Sequence, residues 1–130
     1  MAPYLYVALG GALGSVGRYW TGLMAARLCG ESFPWGTLLI NVVGSFVIGF
    51  FAAFTRPDGK LPASTDVRTF VIVGICGGYT TFSSFSLQTL ALLRGGSAPQ
   101  AAANVGLSMT LCLVAVCLGD LLAGRIGIGR

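Results

Sequence analysis

The sequence has no histidine and only four carboxylates, Glu31, Asp58, Asp66 and Asp120, in 130 residues. Without histidine the commonest general base and a principal zinc ligand are both missing. No two carboxylates fall within one apolar stretch, the hydroxyls have no base beside them, and no phosphate-binding loop motif occurs, so nothing describes an enzyme. The four cysteines, Cys29, Cys76, Cys112 and Cys117, form no CxxC pair and read as buried thiols rather than a zinc or redox centre. Charge of either sign is scarce, at 9% of residues against roughly 25% in soluble domains. The net charge of +4 comes from scattered Lys and Arg, with no basic stripe interleaved with aromatics, which argues against nucleic acid as a partner.

What remains is apolar. Hydrophobic residues make up 55% of the chain and fall in long unbroken runs, the pattern of a polytopic membrane protein with little outside the bilayer. The expected fold class is all-α, a single membrane domain over 1–130 with four spans near 4–28, 35–54, 68–93 and 98–123. A chain this small encloses a pathway poorly by itself, so an oligomer is expected. Twenty glycines agree, because small residues let membrane helices approach closely. The first run has no basic region before it and is longer than a signal-peptide core, so it is expected to stay as a span.

The first span places Gly10, Gly14 and Gly17 on one helical face, a packing surface for another helix. Arg18 follows in the same segment. It snorkels to the interface beside Tyr19 and Trp20, faces a water-filled vestibule as an anion attractor, or does both. Asn41 is the strongly polar side chain of the second span. It either bonds another helix or offers its amide to an ion. Thr55 to Asp66 is a hydrophilic connection punctuated by Pro57, Gly59 and Pro62.

The third span carries the most informative stretch, Gly74-Ile75-Cys76-Gly77-Gly78-Tyr79-Thr80-Thr81-Phe82-Ser83-Ser84-Phe85-Ser86. Paired glycines weaken a helix, and Thr and Ser offer hydroxyls to the backbone groups left unpaired. Non-helical backbone at membrane depth persists only where protein buries it or a cavity wets it. Two helical halves, near 68–76 and 83–93, are expected around an unwound piece, with Gln88 one or two turns beyond. In the fourth span Asn104, Ser108 and Cys112 recur every four residues along one face, with Asp120 near its end.

A proton-coupled transporter needs an intramembrane relay, and the cores of the first three spans hold no carboxylate. A small exporter of cationic drugs would carry an acidic residue in the first span, where this chain has Arg18. The intramembrane inventory is instead Asn, Ser, Thr, Gln and the pair Phe82 and Phe85. Amides and hydroxyls donate hydrogen bonds, and aromatic edges are positive. That combination suits a small, hard anion.

These residues resemble the CrcB/Fluc family of fluoride channels. Three blocks carry the resemblance: the glycine-rich stretch ending in Arg18-Tyr19-Trp20, Gly36-Thr37-Leu38 with Asn41 and Gly44, and the third-span motif. The resemblance covers essentially the whole chain. It implies a dual-topology, antiparallel homodimer in the cell inner membrane that exports fluoride passively through two pores. It further implies a structural sodium ion at the dimer centre, held by the backbone carbonyls of Gly77 and Thr80. Phe82 and Phe85 match the family's pore rings, Asn41 its pore amide, and Ser83 and Ser84 its hydroxyls along the break. Asn104 and Ser108 are a weaker match on the fourth span, and Arg18 is placed at the vestibule. Two departures stand out. Gln88 occupies a position where many members have glutamate. The Lys and Arg also divide unevenly, with Arg56, Lys60, Arg68, Arg125 and Arg130 on one side against Arg27 and Arg94, where dual topology predicts balance. The alternatives are a fluoride/proton antiporter and a non-transporting structural protein.

Overall fold

The structure, a computed structural model, describes residues 2–127. Arg130, counted in the charge bias, lies outside them. The described residues form helices α1 (Ala2–Cys29), α2 (Trp35–Phe54) and α3 (Thr65–Arg68), a π-helical segment (Thr69–Cys76), then α4 (Gly77–Tyr79), α5 (Phe82–Arg94) and α6 (Ala98–Gly127). The stretch from Thr65 to Arg94 is one interrupted element.

Two glycine turns set the connections at one end of the bundle. Gly30 has φ +75° and its N–H donates to the Ala26 carbonyl, closing α1. Gly96 has φ +77°, and the N–H of Ser97 reaches back to the Leu92 carbonyl to close α5. Both are left-handed positions that glycine adopts without steric cost. At the other end Arg68 ties the third element to α2, donating to the Ala52 carbonyl (3.1 Å) and the Thr55 hydroxyl (2.7 Å).

The helices pack in two pairs. α1 lies along the π-helical segment and α4, and α2 lies along α6, with α5 also against α6. The first pairing depends on glycine. A Cβ on Gly14 would strike the Ile75 carbonyl and the Tyr79 N–H, so backbone meets backbone there. The buried residues are mostly small, among them Ala25, Ala53, Ala101, Ala115 and Ala123, whereas Leu5, Leu9, Leu13, Leu118 and Leu121 face outward. A small-residue interior under a leucine-rich exterior is the pattern of helices packed within lipid.

Among the described residues three helices, Trp35–Phe54, Thr65–Arg94 and Ala98–Ile126, are long and apolar enough to cross a membrane. α1 has the length, but Arg18, its tyrosines and its many glycines hold its hydropathy down. The third element starts at Thr65, not near 68, because Ser64 caps it by accepting from the Val67 N–H, which draws Asp66 into the first turn. Its first half is largely π-helical. The last helix runs on to Gly127, so Asp120 lies exposed about two turns before that point. Only Cys76 is a buried thiol; Cys29 and Cys117 are exposed and Cys112 is half-buried. An apolar exterior does not require a thiol to be covered by protein.

Candidate functional site: a two-residue helix break between two cavities

The break is shorter than the sequence suggests. Gly77–Tyr79 stays helical despite its paired glycines, and only Thr80 (ψ 157°) and Thr81 (φ −152°, ψ 110°) are extended. α5 then begins at once with Phe82, and Thr81 caps it. The Thr81 hydroxyl accepts from the Ser84 N–H at 3.1 Å and donates to the Ser84 hydroxyl at 3.0 Å. Ser83 Oγ lies 3.3 Å from the same Thr81 Oγ1. Ser83 and Ser84 thus belong to the first turn of α5, not to the unwound piece. Threonine is a preferred cap residue, which explains why the helix restarts here.

Extended backbone inside an apolar bundle needs partners, and Asn41 supplies them. The Thr81 N–H donates to Asn41 Oδ1 at 2.8 Å, and Asn41 Nδ2 donates to the Thr81 carbonyl at 3.1 Å. The side-chain amide therefore pairs with Thr81 as a neighbouring strand would. One amide hydrogen of Asn41 is left for another acceptor. Gly44, nearly one turn further along α2, has to be glycine because a Cβ there would collide with the Thr80 methyl.

This pairing frees a carbonyl. In a continuous helix the Gly77 oxygen would accept from the Thr81 N–H, which Asn41 has taken. The Thr80 carbonyl accepts from Arg18 Nη1 at 3.3 Å, while the Thr80 N–H and hydroxyl both donate to the Cys76 carbonyl. Arg18 is half-buried, and the one ion pair among the described residues joins Arg56 and Asp58 elsewhere. Arg18 therefore touches the break as a cation with no carboxylate against it.

Thr81 is the wall between two cavities. On one side a space of about 370 Å³ is lined by Arg18, Thr37, Thr81, Ser84 and Gln88 together with Ser15 and Tyr19. On the other a space of about 200 Å³ is lined by Asn41, Phe82, Phe85, Ser108, Met109 and Cys112 together with Thr80 and Thr81. The first carries the cation, several hydroxyls and the Gln88 amide on an otherwise apolar lining. The second is ringed by aromatic and sulfur atoms.

The two phenylalanines part company. Their ring centroids are 5.3 Å apart and tilted by 45°. Phe85 is buried, on the inward stripe of α5 with Gln88, Thr89 and Leu92, whereas Phe82 is 74% exposed on the outer surface. Ser108 is brought to the Phe85 cavity. Asn104 is not, for it is fully buried and donates to the Thr89 hydroxyl at 2.9 Å, pinning α6 to α5. Sequence reasoning missed Thr89, Thr37 and Tyr79. The Tyr79 hydroxyl lies 3.1 Å from Thr21 Oγ1 and its ring packs on Gly17. Their signal was available in principle, as hydroxyls at helical spacing from the motif residues.

Residues 5–120 match the model of a family described as CrcB-like protein, Camphor Resistance (CrcB). A protein of Opitutus terrae named fluoride-specific ion channel FluC is 58% identical over 123 residues, which cover 95% of this chain and 93% of the relative. A protein of Rhodospirillum rubrum with the same name is 57% identical over 126 residues, covering 97% and 98%. One of Methylocella silvestris, also so named, is 50% identical over 123 residues, covering 95% and 94%. The broken third element, with the Asn41–Thr81 pairing at its centre, thus lies within a chain that belongs to the CrcB-like family.

Proposed function

We propose that this protein is a fluoride-specific ion channel of the cell inner membrane that lets fluoride leave the cytoplasm passively. The relatives' names supply the ion, and their named activity is conduction and not catalysis. The single observation that carries the reading is the wall formed by Thr81 and Asn41. It has an uncompensated cation on one side and a phenylalanine-lined space on the other. Arg18 gathers the anion. The remaining Asn41 amide hydrogen and the Ser108 hydroxyl offer it donors, and the Phe85 ring offers its positive edge. No full charge lines the narrow side, so the ion sheds water without being trapped.

The working unit we infer has four spans per subunit, α1 included, and is an antiparallel homodimer with two pores. What supports this is the Phe82 ring, which edges the Phe85 cavity yet is 74% exposed beside the break. A second copy packed on that face would cover the ring and close the cavity, and α1 would cross with its glycines already packed on the third element. The carbonyls of Gly77 and Thr80 suit sodium, a hard ion that prefers oxygen, with a second copy supplying the same pair. When bound, sodium supplies charge that ties the two breaks together. Arg18 competes with it for the Thr80 oxygen.

Fluoride release from liposomes containing the purified protein, followed with a fluoride electrode, tests the activity. Fast release that needs a potassium ionophore to balance charge, with negligible chloride release in parallel, is the expected result. Electroneutral release driven by a pH gradient would replace the channel with an exchanger, and no release from a folded dimer would overturn both. Sodium is tested by exchanging it for a bulky organic cation over a long equilibration. The expected outcome is a lowered Tm of the dimer; unchanged stability and flux would remove the ion.

A further inference from the structure

The Arg18 cavity does not end at Arg18. Gly22, Thr37, Ile40 and Gln88 also line a second cavity of about 300 Å³, which reaches Glu31, Phe33 and Pro34 in the α1–α2 turn. Glu31, Phe33, Pro34 and Gln88 in turn line a third of about 380 Å³, bounded by Ser97 and Gln100 at the start of α6. Three spaces with shared walls run from the helix break to one end of the bundle, and Gln88 borders all of them. The Gln88 Oε1 atom is buried and has no protein partner. A buried carbonyl in that condition beside open space is satisfied by water.

We propose that this passage is the aqueous mouth of the ion route and that Glu31 is the charge that sets its rate. This rests on the fluoride-channel reading. Glu31 is exposed at the opening of the passage and, among the described residues, is the one carboxylate at this end of the subunit's bundle. Asp58 and Asp66 belong to the opposite end, and Asp120 lies toward the far end of α6. Arg27 and Arg94, in the last turns of α1 and α5, sit at the same end as Glu31 and carry the opposite sign. Glu31 opposes the field that Arg18 and these two arginines direct at an arriving anion. A charge at the lip of a low-dielectric cleft acts on the local ion concentration, and salt screens it away.

The experiment measures fluoride efflux from liposomes bearing the wild-type protein, Glu31→Asp, Glu31→Gln and Glu31→Lys, at about 0.01 M and about 1 M ionic strength, where the screening length falls from about 30 Å to about 3 Å. At low salt, Glu31→Gln is expected to raise the rate about two- to threefold and Glu31→Lys further. Glu31→Asp should match the wild type. At high salt the four should converge. Equal rates for all four at low salt, or differences that persist undiminished at high salt, would overturn the proposal. A wild-type protein that releases no fluoride would instead overturn the channel reading beneath it. Because Glu31 is an exposed turn residue, its substitution leaves the helix contacts untouched, and a matching Tm across the variants checks this.

Discussion

Replacing Asn41 with leucine removes both partners of the Thr81 backbone at once and changes the side-chain volume little. The Thr81 N–H and carbonyl are then left inside the bundle, and each orphaned buried group costs about 1–3 kcal/mol. Leucine returns about 1 kcal/mol or more through its apolar surface. The net loss is about 1–5 kcal/mol, which for a chain of this length lowers Tm by roughly 3–25 °C. Thermal unfolding in detergent measures that, and amide hydrogen exchange at Thr81 measures the cause directly. The Thr81 N–H lies in extended backbone yet is bonded, so it should be protected in the wild type. In Asn41→Leu it should exchange at least about tenfold faster. Asn41→Asp separates the two bonds, because a carboxylate still accepts from the Thr81 N–H but no longer donates to the Thr81 carbonyl. Its charge would oppose a nearby anion by about 4 kcal/mol at 4 Å and an effective dielectric near 20, or about a thousandfold in rate. Protection at Thr81 should therefore survive in Asn41→Asp while flux collapses. An Asn41→Leu protein with Tm within about 2 °C of wild type and a still-protected Thr81 amide would refute the claim that this side chain holds the break together.

Further outcomes follow from the same contacts. Phe85→Ile should slow fluoride flux and also lower Tm by a few degrees, since the ring is buried, whereas Phe82→Ile should slow flux with little change in the monomer's own packing. Normal flux from both variants would take the rings out of the pathway. Gly44→Ala drives a methyl into the Thr80 side chain and should cost about 1–3 kcal/mol with loss of flux, while Gly106→Ala, where a Cβ meets nothing, serves as the neutral comparison in the same unfolding assay. Thr89→Val removes the acceptor for the buried Asn104 amide and should destabilise by about 1–2 kcal/mol; a double cycle with Asn104→Leu, in which the second change recovers part of the loss, isolates that bond.

The sequence made some of this legible because the physics was local. Two threonines followed by Phe-Ser-Ser mark a helix restart, and a lone Asn in an Ile/Val run marks a polar partner, so the break and Asn41 were visible from residue types. Glycines at helical spacing gave the α1 packing face for the same reason. Other features depended on what lies opposite. Gly77 and Gly78 looked like helix breakers, but close approach to α1 holds Gly78 in a helical conformation, since a Cβ there would meet the Gly11 backbone. The π-helical turn from Thr69 to Cys76 shifts hydrogen bonds by one residue without any signature in side-chain type. Phe82 and Phe85 are chemically identical in sequence, and only the direction in which α5 presents them separates an inward ring from an outward one. Asn104 likewise read as a member of a polar track, whereas its partner, Thr89, sits on another helix.

The two extended residues at Thr80 and Thr81 also act as a phase setter. They advance the chain by roughly 6–7 Å where two helical residues would advance about 3 Å. They also uncouple the rotation of α5 from that of the helix before it. Each residue of a helix turns it by about 100°, so inserting or deleting a single position here would swing the stripe formed by Phe85, Gln88 and Thr89 away from α6 and bring Ser84 or Ser86, respectively, into the place of Phe85. The connection between Thr55 and Ser64 sets the face of no helix and can change length more readily. Length variation among related chains should therefore collect in that connection and be absent between Tyr79 and Phe82, where one residue decides which face of α5 turns inward.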